Sequence, residues 1–250
     1  PVPDDTIPAR MVLTTVDHAH AKAVGNKGPI QLNCMYRKPL EPVEIPWDES
    51  CLNGLDNWES NNDPFTDYTF SKEKRIRGEV EKWINEAKSG LIIVGSLKSE
   101  QDRKAVAELS KLLEWPIYCD VVSGMKMMDR DRHLHCLDHM LVLPEVLNLL
   151  QPDTILQFGG RITSKRVLLF LDQVNPDTYL LVDDHTDRLD PSHRVTNRMC
   201  MSQVEWVQQF KSASSNANRH PNLDTLIELN ELTEKIIRNL VEILHGISIQ

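Results

Sequence analysis

Apolar positions along the chain follow two rhythms: short unbroken runs, and stripes spaced three or four apart. The two alternate regularly after residue 71. Short apolar runs occupy residues 91–95, 117–121, 154–159 and 178–183, among them Leu91-Ile92-Ile93-Val94 and Tyr179-Leu180-Leu181-Val182. Runs of this length, apolar on both faces, predict strands covered from both sides. Between and around them, helical spacing predicts helices over 71–88 (Ile76, Val80, Trp83, Ile84 and Ala87 on one stripe), 99–115, 136–150, 163–174 and 202–212. Four strands alternating with helices predict an α/β fold, a parallel sheet with helices on both faces. Such sheets bind ligands beyond the carboxyl ends of their strands. The turns after Gly95, Val121, Gly159 and Asp184 are therefore where chemistry is expected.

The flanks read differently. Residues 9–24 predict a helix with Met11, Leu13, Val16, Ala19 and Ala23 inward; Gly25 and Gly28 stop it, residues 29–34 follow as a strand, and residues 38–40 close the unit. Residues 41–72 sustain neither period and are punctuated by Pro42, Pro46, Gly54, Asn61, Asn62 and Pro64, the pattern of a linker or surface excursion at a domain boundary. Residues 211–220 read as a second linker. Residues 222–245 then form an amphipathic helix with Leu226, Leu229, Leu232, Ile236, Leu240 and Ile243 on one face. With little chain left to pack against, it reads as the entry helix of a third domain that has been cut off. A terminal helix docked on the middle domain is the other reading.

Composition narrows the class. In 250 residues, 40% hydrophobic and 26% charged content is that of a globular chain. The net charge of −9 and the absence of a basic stretch argue against nonspecific nucleic-acid binding. Apolar stretches such as 167–171 fall far short of the roughly 18 residues of a transmembrane helix. The chain opens at Pro1 without a leader and so reads as a fragment or processed form. Cys34, Cys51, Cys119, Cys136 and Cys200 are odd in number, widely spaced and without a Cys-x-x-Cys pair, which suits reduced thiols.

Candidate chemistry concentrates at four places. Gly159-Gly160 follows a strand and opens a helix but lacks the third glycine of a dinucleotide fingerprint, and neither a Walker A motif nor Gly-x-Ser-x-Gly occurs. Such a turn can still hold an anion on helix N-terminal amides. His133, His135, Cys136 and His139 lie within seven residues and invite a zinc reading. They straddle a loop-to-helix junction, however, and the acid–base context of Asp129-Arg130-Asp131-Arg132 and Asp138 favours a solvated turn. Arg161, Lys165 and Arg166 put cations at a helix start, against the macrodipole. That is tolerated where an anion is shared between side chains and amides; a solvated surface pair is the alternative. The acidic turn 183–191 could ligate a hard cation, but more often such a run is an N-cap and Asx-turn cluster.

Three segments together resemble one family. Gly28-Pro29-Ile30-Gln31-Leu32-Asn33-Cys34-Met35-Tyr36-Arg37-Lys38-Pro39-Leu40 resembles the strand that closes the pyrimidine-binding domain of thiamine-diphosphate enzymes. Its Asn33 and trailing Pro39-Leu40 are particular to the 2-succinyl-5-enolpyruvyl-6-hydroxy-3-cyclohexene-1-carboxylate (SEPHCHC) synthases of menaquinone and phylloquinone biosynthesis. Asp120-Val121-Val122-Ser123-Gly124-Met125 resembles that family's Asp-Pro-Leu-Ser-Gly-Leu turn. Gln157-Phe158-Gly159 through Ser164-Lys165-Arg166, then Val182-Asp183-Asp184 and Arg188-Leu189-Asp190-Pro191, resemble its central-domain core. Met35 and Val121 stand where the family has proline, and the excursion before residue 72 is longer and more acidic than expected.

The resemblance implies a Rossmann-like central domain over 73–212. It also implies the tail of a pyrimidine-binding domain over 1–40, a linker over 41–72, and the linker and first helix of a truncated diphosphate-binding domain over 213–250. In the full-length parent it implies thiamine diphosphate and Mg2+ as cofactors, decarboxylation of 2-oxoglutarate and addition of the succinyl carbanion to isochorismate. The glutamate that activates thiamine and a Gly-Asp-Gly…Asn motif are missing here, so the fragment is expected to be inactive and to bind neither cofactor. The family's lysine and arginine matching Lys165 and Arg166 face substrate carboxylates in the active site. Expected partners are these anionic substrates, the remaining domains of the same enzyme and, in the parent, a second copy of it. The implied location is cytoplasmic for a bacterial parent and the plastid for a plant or algal one. A non-catalytic Rossmann-like module binding a nucleotide or anion at Gly159-Gly160 is the competing reading.

Overall fold

The computed structural model describes residues 7–26, 28–35, 49–60, 63–70, 78–128, 132–185, 187, 189–212 and 217–247. The four strands predicted in the alternating region all form, and two more join them. In chain order they are β1 (Asp67–Phe70), β2 (Gly90–Val94), β3 (Ile117–Cys119), β4 (Thr154–Phe158), β5 (Thr178–Asp183) and β6 (Asn197–Cys200). Every pairing is parallel, in the spatial order β1-β6-β5-β4-β2-β3. The region read as an excursion therefore contributes an edge strand, together with a 3-10 turn at Glu49–Leu52 and the short helix α2 (Asp56–Glu59).

The remaining helices are α1 (Ala9–Asn26), α3 (Gly78–Glu86), α4 (Glu100–Leu113), α5 (Leu137–Met140), α6 (Pro144–Leu150), α7 (Lys165–Gln173), α8 (Gln203–Ser212) and α9 (Leu223–Ile247). The helix expected over 136–150 is two helices. Pro144, which has no N–H to give to a preceding turn, opens the second of them. The strand expected over 29–34 does not form: residues 28–35 are irregular, and residues 29–35 are exposed. A strand needs a neighbour to satisfy its backbone, and these residues pair with none among the described residues. Residues 38–40, 71–77 and 213–216, parts of the predicted strand close, helix and linker, lie outside the described residues.

Alternation along the strands divides the core into two layers. Ile92 and Val94 of β2 pack with Val80 and Ile84 of α3, Leu109 of α4, and Trp206 and Phe210 of α8. Leu91 and Ile93 point the other way, among Leu137, Val146, Leu150, Val167, Phe170 and Leu226. The start of α9 is thus docked on this domain, whereas Leu232, Ile236, Leu240 and Ile243 farther along the same stripe are exposed. Helix α1 is held mainly by polar contacts: Asp17 accepts the Thr66 N–H at 2.8 Å, and Arg10 pairs with Asp172 at 2.9 Å.

Local signals set the helix ends near the site. Ser99 caps α4 by accepting the Asp102 N–H at 3.0 Å, and Glu114 ends it in the left-handed region at φ 53°. Gly90, which opens β2, faces the buried Trp115, and a Cβ there would lie 2.1 Å from ring atoms. Gly90→Ala is expected to cost about 1–3 kcal/mol by overpacking, read as a lowered urea midpoint. Gly78→Ala, with nothing within 4 Å of the added carbon, should leave the midpoint unchanged or raise it. Equal effects of the two would show that the Trp115 contact yields without cost.

Candidate functional site

Helix α4 carries the chain from β2 to β3 on one side, while α7 carries it from β4 to β5 on the other. The crevice between the carboxyl ends of β2 and β4 is thus the point where an open α/β sheet binds ligands. Here the two turns touch backbone to backbone. A Cβ on Gly95 would lie 2.3 Å from the Gly160 carbonyl oxygen, and one on Gly159, at φ +76°, 2.4 Å from the Ser96 carbonyl oxygen. Both glycine amides are used: Gly159 N–H donates to Val182 O at 3.0 Å and Gly160 N–H to Ser96 O at 3.1 Å. The two glycine amides are therefore not available to a bound phosphate.

The next turn is gripped from across the crevice. Asp120, fully buried after β3, accepts Thr163 N–H at 2.8 Å and Ser164 N–H at 3.1 Å on one carboxylate oxygen. Its other oxygen accepts the Thr163 hydroxyl at 2.6 Å and Val122 N–H at 3.2 Å. Burial alone would raise the Asp120 carboxyl, but these hydrogen bonds, that of the Thr163 hydroxyl foremost, hold it below its ordinary value. The anion shared with the start of α7 is therefore internal. Ser164 caps the helix by accepting Val167 N–H at 3.3 Å.

Asp138 of α5 supports the same segment. Its carboxylate accepts the Ser164 hydroxyl and, at 3.1 Å, the Tyr118 hydroxyl, and lies 3.6 Å from the Lys126 ammonium. Its backbone carbonyl accepts from Arg166 Nη1 at 2.9 Å. Burial, followed by the charges of Asp138 and Asp120, pushes the Tyr118 phenol far above its usual range. Lys165 and Arg166 are both exposed at the first turn of α7. The result is two cations at the carboxyl edge of the sheet, on a helix start fixed by two buried or half-buried acids. Such a pair suits carboxylate recognition.

Other predicted sites separate or close. His133 turns to Cys119, with Nε2 3.6 Å from Sγ, whereas His135 turns to Glu234 at 3.1 Å and Asn230 at 2.9 Å. Cys136 is buried and His139 exposed. The four do not converge on a metal. Cys119 is a neutral thiol, pushed up to about 12 by burial. Among the described residues, Asp183, Asp184 and His185 have ligand atoms within 4.8 Å of one another. Asp184, however, is paired with Lys98 at 2.6 Å, and Asp183 accepts Asp184 N–H at 2.9 Å. The Lys98 pairing offsets part of the charge of this acidic turn. It also makes Lys98, which the sequence did not single out, a latch across the crevice from the β2 turn to the β5 turn.

Comparison with known proteins follows the same lines. Residues 49–247 match the protein family described as the middle domain of thiamine pyrophosphate. The chain is 41% identical over 224 residues to Protein PHYLLO, chloroplastic, of Arabidopsis thaliana, an alignment covering 83% of this chain and 13% of that protein. It is 28% identical over 243 residues to the SEPHCHC synthase of Chlorobium phaeobacteroides, covering 96% of this chain and 41% of the relative. To the synthase of Shewanella sp. strain ANA-3 it is 33% identical over 249 residues, covering 96% and 42%. The chain thus spans about two-fifths of the length of these bacterial relatives and a smaller share of the plant protein.

Asp120→Asn preserves shape while removing the charge that holds Thr163 and Ser164. It is expected to cost about 1.5–3 kcal/mol at neutral pH. Because the folded carboxyl titrates below its unfolded value of about 3.9, the stabilisation is present above that value and lost as pH falls through the folded one. Urea melts from pH 7 to pH 3 should show the variant less stable at pH 7 and converging on the parent in acid. Parallel curves would mean the carboxylate is not what fixes α7.

Proposed function

Because this chain belongs to the family of thiamine pyrophosphate enzymes, as their middle domain, we propose that it is the central part of a SEPHCHC synthase. The parent would decarboxylate 2-oxoglutarate and add the succinyl carbanion to isochorismate. The observation that carries the reading is the placement of Lys165 and Arg166. They are exposed on a helix start that Asp120 and Asp138 fix, at the sheet edge where α/β ligands bind. Both proposed substrates are polyanions. Arg166 is oriented through one nitrogen to the Asp138 carbonyl, which leaves the rest of its fork to face a carboxylate, and Lys165 adds a second charge beside it. These two residues bind and orient; no bond is made or broken on them.

Thiamine diphosphate, when bound to the parent, supplies the carbanion chemistry. The described residues at this edge do not offer it a cradle. The Gly159 and Gly160 amides are occupied by carbonyls, the Thr163 and Ser164 amides just before α7 by Asp120, the Val167 amide by Ser164, and Asp184 by Lys98. We assign the cofactor and its Mg2+ to the remaining domains of the parent, with which this chain would assemble, and the exposed half of α9 suits such a neighbour. The stronger identity to a chloroplastic plant protein than to the bacterial synthases supports a plastid address.

Lys165→Ala and Arg166→Ala in the full-length enzyme should each lower kcat/KM by roughly ten- to a hundredfold, the worth of one charge-assisted hydrogen bond. The melting temperature should be unchanged, since both groups are exposed. Steady-state kinetics with each substrate varied in turn, alongside thermal melts, decide the matter. Unchanged kinetics would return the pair to a solvated surface role, and a fall in stability would make them structural.

A further inference from the structure

The opposite, amino-terminal edge of the sheet holds a second concavity. The first residues of β1, β5 and β6, Asp67, Thr178 and Asn197, border a cavity of about 880 Å³. Its volume is in the range of small-molecule and side-chain binding sites. The segment read as an excursion builds much of its wall. Trp58 of α2 and Phe65 come from that segment, and Trp83 comes from α3; each of the three rings is half-buried.

The charges around the rings are unequal. Asp63, Asp67, Glu79 and Asp177 contribute four carboxylates. Among the described residues the lining cations are Lys82 and Arg194, two against four. Lys82 lies 4.0 Å from Glu86 one turn along its own helix. Arg194 donates to Asn175 Oδ1 at 3.0 Å and to the Asp172 carbonyl at 2.6 Å. A concavity lined by aromatic residues, with more carboxylates than cations among its described residues, repels anions and attracts a cation that has an apolar body. The anionic substrates proposed for the carboxyl edge are the wrong chemistry for it.

We propose that this cavity binds an organic cation: a guanidinium or alkylammonium group on a short apolar stem, seated between the tryptophans and the carboxylates. The group could be carried by a free amine or by an arginine or lysine side chain of a polypeptide, and the recognising chemistry is the same. The site lies at the other edge of the sheet from Lys165 and Arg166, so it neither depends on nor tests their role.

The test titrates two probes into the full chain at low ionic strength, following tryptophan emission and heat. Agmatine represents a free amine, and acetyl-Gly-Arg-Gly-amide represents a protein-borne arginine. Saturable binding of at least one probe is expected, weakened by added salt, with succinate giving no response. Asp177→Asn, at an exposed position, and Trp58→Leu should each weaken binding about tenfold. Saturation by agmatine alone assigns the site to a free amine, by the peptide alone to a polypeptide partner, and by both to the cationic group itself. Should Trp58→Leu fail to fold, Asp177→Asn carries the test. Absence of saturation by either probe, or binding that both folded variants leave unchanged, overturns the proposal.

Discussion

The arrangement of the carboxyl edge depends on one close approach, that of the turn after β2 to the turn after β4. Any side chain at Gly95 or Gly159 would collide with the opposite backbone. With hydrogen there, Gly160 N–H reaches the Ser96 carbonyl and the two strand ends are drawn together. Only then does the start of α7 fall within reach of Asp120, which projects from β3 on the far side of β2. The carboxylate satisfies three backbone donors and one hydroxyl that would otherwise be orphaned beneath the surface. Part of the crevice is thereby filled by the protein itself, and Lys165 and Arg166 stay exposed at its rim.

The strands that the residue pattern showed are those buried on both faces. Leu91–Val94 and Tyr179–Val182 lie inside the sheet with helices above and below, so their composition has no polar alternative. β1 and β6 escaped because Asp67, Asn197 and Arg198 interrupt any apolar run there. Tertiary context, not local preference, makes them strands. The site was legible in part. Lys165 and Arg166 stand out as cations at a helix start, but the reason they are tolerated is Asp120, 43 residues earlier than Thr163, and spacing along a chain does not encode such a contact. Asp138 looked like part of a solvated acid–base turn, yet it holds Ser164, Tyr118 and Arg166. The histidine–cysteine cluster misled for the converse reason. Residues near in sequence were sent by a loop into different neighbours, His133 toward Cys119 and His135 toward Glu234.

The two edges of the sheet have opposite electrical character. The carboxyl edge offers Lys165 and Arg166 on a rim whose acids are buried or spent on internal hydrogen bonds. Among the described residues, the cavity at the amino edge is lined by four carboxylates and two cations, beside three aromatic residues. A net charge of −9 spread evenly would repel every anion from every direction. The proposed anion site at one edge and cation site at the other would instead need the charge to be sorted along the strand axis.

The pairing of β1 with β6 sets an order in time. Asp67 lies beside Asn197, some 130 residues later in the chain, and β6 is the strand that β1 touches. A chain made at about 5–20 residues per second leaves β1 waiting roughly 7–26 seconds for its partner. β2 and β3, about 25 residues apart, can pair long before then. Synthesis therefore lets the sheet assemble from its β2–β3 side outward, with β1 joining only once β6 has been made. Until then Asp67–Phe70 lacks the neighbour that satisfies its backbone, and that interval is when a wrong pairing can form.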